Sequence, residues 1–170
     1  MVTVESILDW IPALGVIVAL VYYTITVRNQ NKTRQAQLFM NIHRQMTSKE
    51  AQMDYLDIET IEMKSYEDYK QLKEDRRMFS VLAWHFSYYE GIGVLIKEGF
   101  LDIGLVAKMS SGNIIWFWER FRDGVYDLRD KMNWVRWGIE VEYLYERILD
   151  YAKKHPELEI AISGQIERNP

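Results

Sequence analysis

Hydrophobic and polar positions along the chain follow two regimes. From Ile11 to Val27, IPALGVIVALVYYTITV, apolar residues take almost every position, so no polar stripe is left to face water. Counting back through Trp10, Leu8 and Ile7, the stretch reaches roughly 20 residues, the length of a bilayer-spanning helix. Trp10 at one end and Tyr22 and Tyr23 near the other put aromatic rings at headgroup level. Pro12 falls in the first turn, where its missing N–H costs little. The pattern predicts a single span, with the lipid bilayer as a partner. From Arg28 to Gln37, RNQNKTRQAQ, apolar residues almost vanish. This reads as a helical neck roughly 15 Å long at 1.5 Å per residue. Arg28, Lys32 and Arg34 are stop-transfer charges within reach of anionic headgroups.

The second regime is a series of helix-period stripes. Leu38, Phe39, Ile42 and Met46 share one face, so the membrane helix should run unbroken to about Gln45. Thr47-Ser-Lys-Glu50 reads as a capping box before a helix over about Lys49–Met63. Ser65 with Asp68 marks another start, and Tyr66 to Asp75 is a short surface helix or connection. The longest soluble helix is expected over about Lys73–Lys97. One of its faces is Phe79, Leu82, Phe86, Tyr89, Gly93 and Ile96; another is Val81, Trp84, Tyr88, Ile92 and Leu95. Gly91 and Gly93 should admit a close neighbour. Gly99 reads as a stop and Asp102 as the next cap. A short helix through Leu105, Val106 and Met109 should break at Ser110-Ser-Gly112. A helix over about Asn113–Asp130 follows, with Ile114, Phe117, Phe121, Val125 and Leu128 inward. Asn133 should cap a last helix, striped by Trp137, Val141, Leu144, Ile148 and Tyr151 and ended by Pro156. No stretch alternates long enough for a strand. The fold class is therefore all-α: one N-terminal transmembrane helix continuing into a cytoplasmic bundle of about five helices. The units are 1–27 (outside tail and span), 28–37 (neck), 38–156 (bundle) and 157–170 (tail).

Charge adds an orientation. The first 27 residues hold Glu5 and Asp9 but no Lys or Arg, and basic residues follow at once. Positive flanks stay cytoplasmic, which puts the N-terminus outside and the domain inside, at the cell membrane. The same asymmetry argues against a cleaved signal peptide. The net charge is −4 with both signs interspersed, which leaves no basic face for nucleic acid. The absence of cysteine excludes disulfides, thiol catalysis and iron–sulfur clusters.

Candidate chemistry is sparse. A di-iron bundle needs Glu-x-x-His on two helices, yet Met40, Leu82 and Ala152 precede His43, His85 and His155 by three. His-Glu-x-x-His is absent too. No metal, cofactor or catalytic residue is assigned. His85 lies in an apolar helix, where a hydrogen-bonded core histidine is the plainer reading. Glu90 and Glu119 sit among aromatics, where burial would raise a carboxylate's pKa; pairing with Arg or a Tyr hydroxyl is the plainer reading. The aromatics remain. Phe117, Phe121 and Trp137 fit stripes and should be core; Trp118 and Trp134 fall off them, which leaves two readings, an exposed docking face or a Trp-rich core with no partner. Trp84, His85, Tyr88, Trp116, Trp118 and Trp134 form a candidate docking or ligand patch.

The stretch from the span through Val27-Arg-Asn-Gln-Asn-Lys-Thr-Arg-Gln-Ala-Gln-Leu-Phe-Met40 to Thr47-Ser-Lys-Glu50 resembles a family of uncharacterised archaeal proteins. These have one N-terminal span and a helical cytoplasmic domain. The Tyr88-Tyr-Glu90-Gly91-Ile-Gly93 and Trp116-Phe-Trp-Glu119 segments are compatible with it. The resemblance implies the topology and no activity. The expected function is non-enzymatic: an accessory, regulatory or scaffolding subunit of a larger membrane assembly, with a protein partner in the membrane. Gly15 and Ala19, a small-xxx-small pair, would be the packing face in the membrane, and self-association stays open. The alternative is a membrane-tethered sensor whose bundle encloses a small ligand among Trp84, His85, Tyr88 and Trp116.

Overall fold

A computed structural model describes residues 11–158, and six α-helices run through them: α1 Ile11–Met46, α2 Lys49–Ile58, α3 Tyr66–Leu72, α4 Arg76–Lys97, α5 Ile103–Met132 and α6 Ile139–Ala152. No strand occurs among the described residues. The protein is all-α, with one long apolar N-terminal helix followed by a helical domain. Trp10, and the tail beyond Leu158, lie outside the described residues.

The chain divides into two units, the first ending at Leu38 and the second starting at Phe39. In the first, α1 is long and apolar enough to cross a membrane. Every side chain from Pro12 to Ile25 is exposed, which in water would leave a large apolar surface uncovered. The Thr24 hydroxyl donates to the Leu20 carbonyl at 2.8 Å, so its polar group is satisfied within the helix. A Cβ built on Gly15 meets nothing within 4 Å.

In the second unit, α6 packs against both α4 and α5. At its crossing with α4, a Cβ on Gly93 would lie 2.2 Å from the Glu140 carbonyl oxygen, so only glycine allows this approach. Gly91 is exposed with open space around it; of the two expected close-approach glycines, only Gly93 serves. Large rings fill the space between α4 and α5. Phe86 meets Phe117 at 4.8 Å, Phe117 meets Phe121 at 5.0 Å and Tyr89 meets Phe117 at 4.8 Å between centroids.

Polar groups on α5 close the ends of the shorter helices. Arg120 donates to the Ile61 and Glu59 carbonyls at 3.0 and 2.8 Å, satisfying the chain where it leaves α2. Asp127 accepts from the Tyr66 N–H at 2.7 Å, an acid at the N-terminus of α3. Ser65 and Asp102 cap α3 and α5 as their positions suggest, and Gly99 adopts φ +74°.

Several boundaries differ from the sequence reading. The cap of α2 is Ser48, which accepts from the Ala51 N–H, whereas the Thr47 hydroxyl turns back to the His43 carbonyl. Helix α2 stops at Ile58 instead of Met63, and α4 begins at Arg76 behind the cap Asp75. No break occurs at Ser110-Ser-Gly112. Helix α5 is continuous over 30 residues, because Ala107, Ser111, Ile114 and Ile115 are buried on either side of Gly112. That packing outweighs a glycine cost of about 1 kcal/mol. Asn133 ends α5 in the left-handed region, φ 55°, instead of starting α6. Helix α6 starts after Gly138, also left-handed at φ 70°.

Candidate functional site

The six-residue patch suggested by the sequence does not form. Trp118 is only 1% exposed; it faces Tyr126 edge-on at 5.9 Å. It falls off the main stripe, yet α5 is buried over more than one face, and that covers it. Trp134 is 40% exposed and sits beside Tyr69 at 6.2 Å. Trp84 stacks on Tyr88 at 5.5 Å and meets His85 at 4.9 Å, while Trp116 leans on Tyr55 at 5.7 Å. Trp137, expected in the core, is half-buried against Phe86 at 4.6 Å.

His85 is a buried residue of α4. Its Nδ1 lies 2.8 Å from the Val81 carbonyl, and since a carbonyl only accepts, Nδ1 carries the proton. Nε2 is buried with no partner. Burial lowers the pKa, so the ring stays neutral.

The two carboxylates in aromatic settings have partners. Glu90 accepts from the Gly138 N–H at 2.9 Å, satisfying the backbone donor of the residue just before α6. Burial raises the Glu90 pKa. Glu119 accepts from the Tyr145 hydroxyl and pairs with Arg122 at 3.0 Å. Beside them, Arg129 binds Glu142 at 2.6 Å and the Trp137 carbonyl at 2.8 Å. Among the described residues, no three His, Asp or Glu side chains converge as a metal centre needs.

What the domain does contain is a cavity of about 270 Å³ between the last turn of α1, α2, α4 and α5. His43, Met46 and Thr47 form one side, and Ala51, Gln52 and Tyr55 of α2 another. Tyr88 and Tyr89 of α4 face Met109, Ser110 and Asn113 of α5. Of the residues expected around a ligand, only Tyr88 lines it. Among the described residues, none lining it is an Asp, Glu, Lys or Arg. The Tyr55, Tyr88 and Tyr89 hydroxyls make no hydrogen bond among the described residues. Burial pushes the Tyr88 phenol up to about 12 and raises Tyr55 and Tyr89 as well. The three remain O–H donors at any ordinary pH. Tyr89 was visible in sequence only as a stripe residue. Nothing in the pattern set Tyr55, Ser110 or Asn113 apart.

One comparison with known proteins decides the family. A model of DUF4760, a domain of unknown function, matches residues 10–148. The chain belongs to that family. The match runs from the apolar helix through most of α6, so the DUF4760 unit takes in both. No curated protein and no solved structure matches this DUF4760 chain.

Proposed function

We propose that this is a single-span membrane protein, with its N-terminus outside and its helical domain in the cytoplasm. It acts without catalysis as an accessory, regulatory or scaffolding subunit of a larger membrane assembly. This topology is that of the archaeal single-span proteins its juxtamembrane pattern resembles. The observation that carries it is the uninterrupted exposed apolar surface of α1 from Pro12 to Ile25, followed by Arg28, Lys32 and Arg34. An anchored domain gains a high effective concentration for whatever else occupies the membrane beside it. The partnered states of Glu90 and Glu119 support a structural use of the groups best suited to acid–base work. Gly15 and Ala19 offer a small-residue face for a neighbouring helix. The test is gentle detergent extraction of the native protein, then size separation and mass spectrometry. Stoichiometric recovery with other membrane subunits, abolished by Gly15→Leu, is the expected result. Recovery alone, as a monomer or homodimer, rejects the accessory reading.

A second reading, a membrane-tethered small-ligand-binding domain, is favoured by one observation: the cavity with its three unpartnered phenol hydroxyls.

A further inference from the structure

The cavity between α1, α2, α4 and α5 specifies a class of ligand, and the inference rests on the second reading above. An apolar cavity of roughly 150 Å³ takes benzene, so about 270 Å³ admits one substituted ring. Met46, Met109 and the tyrosine faces suit an apolar or aromatic body, thioethers adapting readily to irregular shapes. Tyr89 lines this space, and its hydroxyl makes no hydrogen bond among the described residues, which leaves it open to a ligand. Tyr55 and Tyr88 bring two more to the same space. All three can donate to a ligand oxygen, and none of the walls carries a formal acidic or strongly basic charge to balance an ion.

We infer that the cavity binds a small uncharged aromatic carbonyl compound, its ring against Met46 and Met109 and its oxygen accepting from the tyrosine hydroxyls. Its walls come from both sides of the α1–α2 turn and from α4 and α5. An occupant therefore fastens that turn to the rest of the domain.

The test uses the full chain in detergent and three probes of similar size: acetophenone, ethylbenzene and benzoate. Binding is followed by saturation-transfer NMR and by calorimetry. Acetophenone is expected to bind saturably, about tenfold tighter than ethylbenzene, which lacks the acceptor, or benzoate, which is charged. Tyr89→Phe should weaken acetophenone roughly fivefold to tenfold and leave ethylbenzene unchanged. Ser110→Leu should abolish saturable binding by filling the space; Asn113→Leu, at an exposed position, replaces it should that variant not fold. Unchanged acetophenone affinity in a folded Tyr89→Phe protein overturns the proposal. So does saturable binding that survives the filling variant. Preference for ethylbenzene or benzoate, lost on filling, overturns the carbonyl class but leaves the ligand-binding reading standing. No saturable binding of any probe overturns both.

Discussion

The crossing of α4 and α6 allows a paired prediction with opposite signs. Gly91 and Gly93 sit two residues apart on one helix. In a helix interior, Gly→Ala gains about 1 kcal/mol from reduced backbone entropy. At Gly91 the new methyl meets nothing within 4 Å, so that gain should appear almost undiminished. At Gly93 the methyl would stand 2.2 Å from the Glu140 carbonyl oxygen and 2.9 Å from its carbon. Both are backbone atoms of α6 and cannot rotate aside, so the helix must retreat by about 1 Å to restore ordinary contact. Its retreat loosens Val141 and Leu144, both fully buried, and stretches the 2.9 Å ion pair between Lys97 and Glu140. Overpacking of this kind costs about 1–3 kcal/mol, at times more. A 2.2 Å approach to backbone puts Gly93→Ala at the upper end of that range, so after the propensity gain it should destabilise by about 2 kcal/mol. A domain of this size loses roughly 4 °C of Tm per kcal/mol. The near-UV circular dichroism melt of Gly93→Ala should therefore fall by about 8 °C, and that of Gly91→Ala rise by about 4 °C. A Gly93→Ala melt at or above wild type would refute the close crossing.

Three further outcomes are expected. Burial raises the Glu90 pKa above its ordinary 4.5, so its contribution is fully present below about 4.5 and fades as pH rises through the folded value. Glu90→Gln keeps an acceptor for the Gly138 N–H and should flatten that part of the stability–pH curve; an unchanged curve would show that Glu90 does not titrate there. Glu142→Ala removes the carboxylate from Arg129, whose Nη2 is already buried without a partner, and should cost about 3 kcal/mol in denaturant melts. Leu20→Arg places a charge mid-span at about 3 kcal/mol and should move the protein out of the carbonate-resistant membrane fraction; full retention would count against the span.

Much of the helical order was legible because it follows from local rules. The apolar run and the Leu38–Met46 stripe both read as helix, and α1 covers both without interruption. Ser65, Asp102 and Gly99 act where their side chains or conformational freedom place them. The misreadings arose where one residue type serves two roles or where packing overrides propensity. Asn favours the left-handed end of a helix as much as a helix start, and Asn133 takes the former. Ser110-Ser-Gly112 looks like a break until neighbours bury both sides of it. Trp118 lies off one stripe but within the wider buried surface of a helix with several neighbours. The cavity was illegible for a different reason. Its walls come from four helices, and no spacing along the chain brings Tyr55 to Tyr89; only tertiary packing does.

Because α6 packs on both α4 and α5, the most C-terminal of the described helices is also the one that joins those two. A ribosome adding about 5–20 residues per second needs of order ten seconds to pass from Phe39 to Ala152. In the last part of that interval, once α5 is made, α4 and α5 lack the cover of α6. Vectorial synthesis thus holds this chain for a time as a half-closed intermediate, the kind of species that chaperones guard.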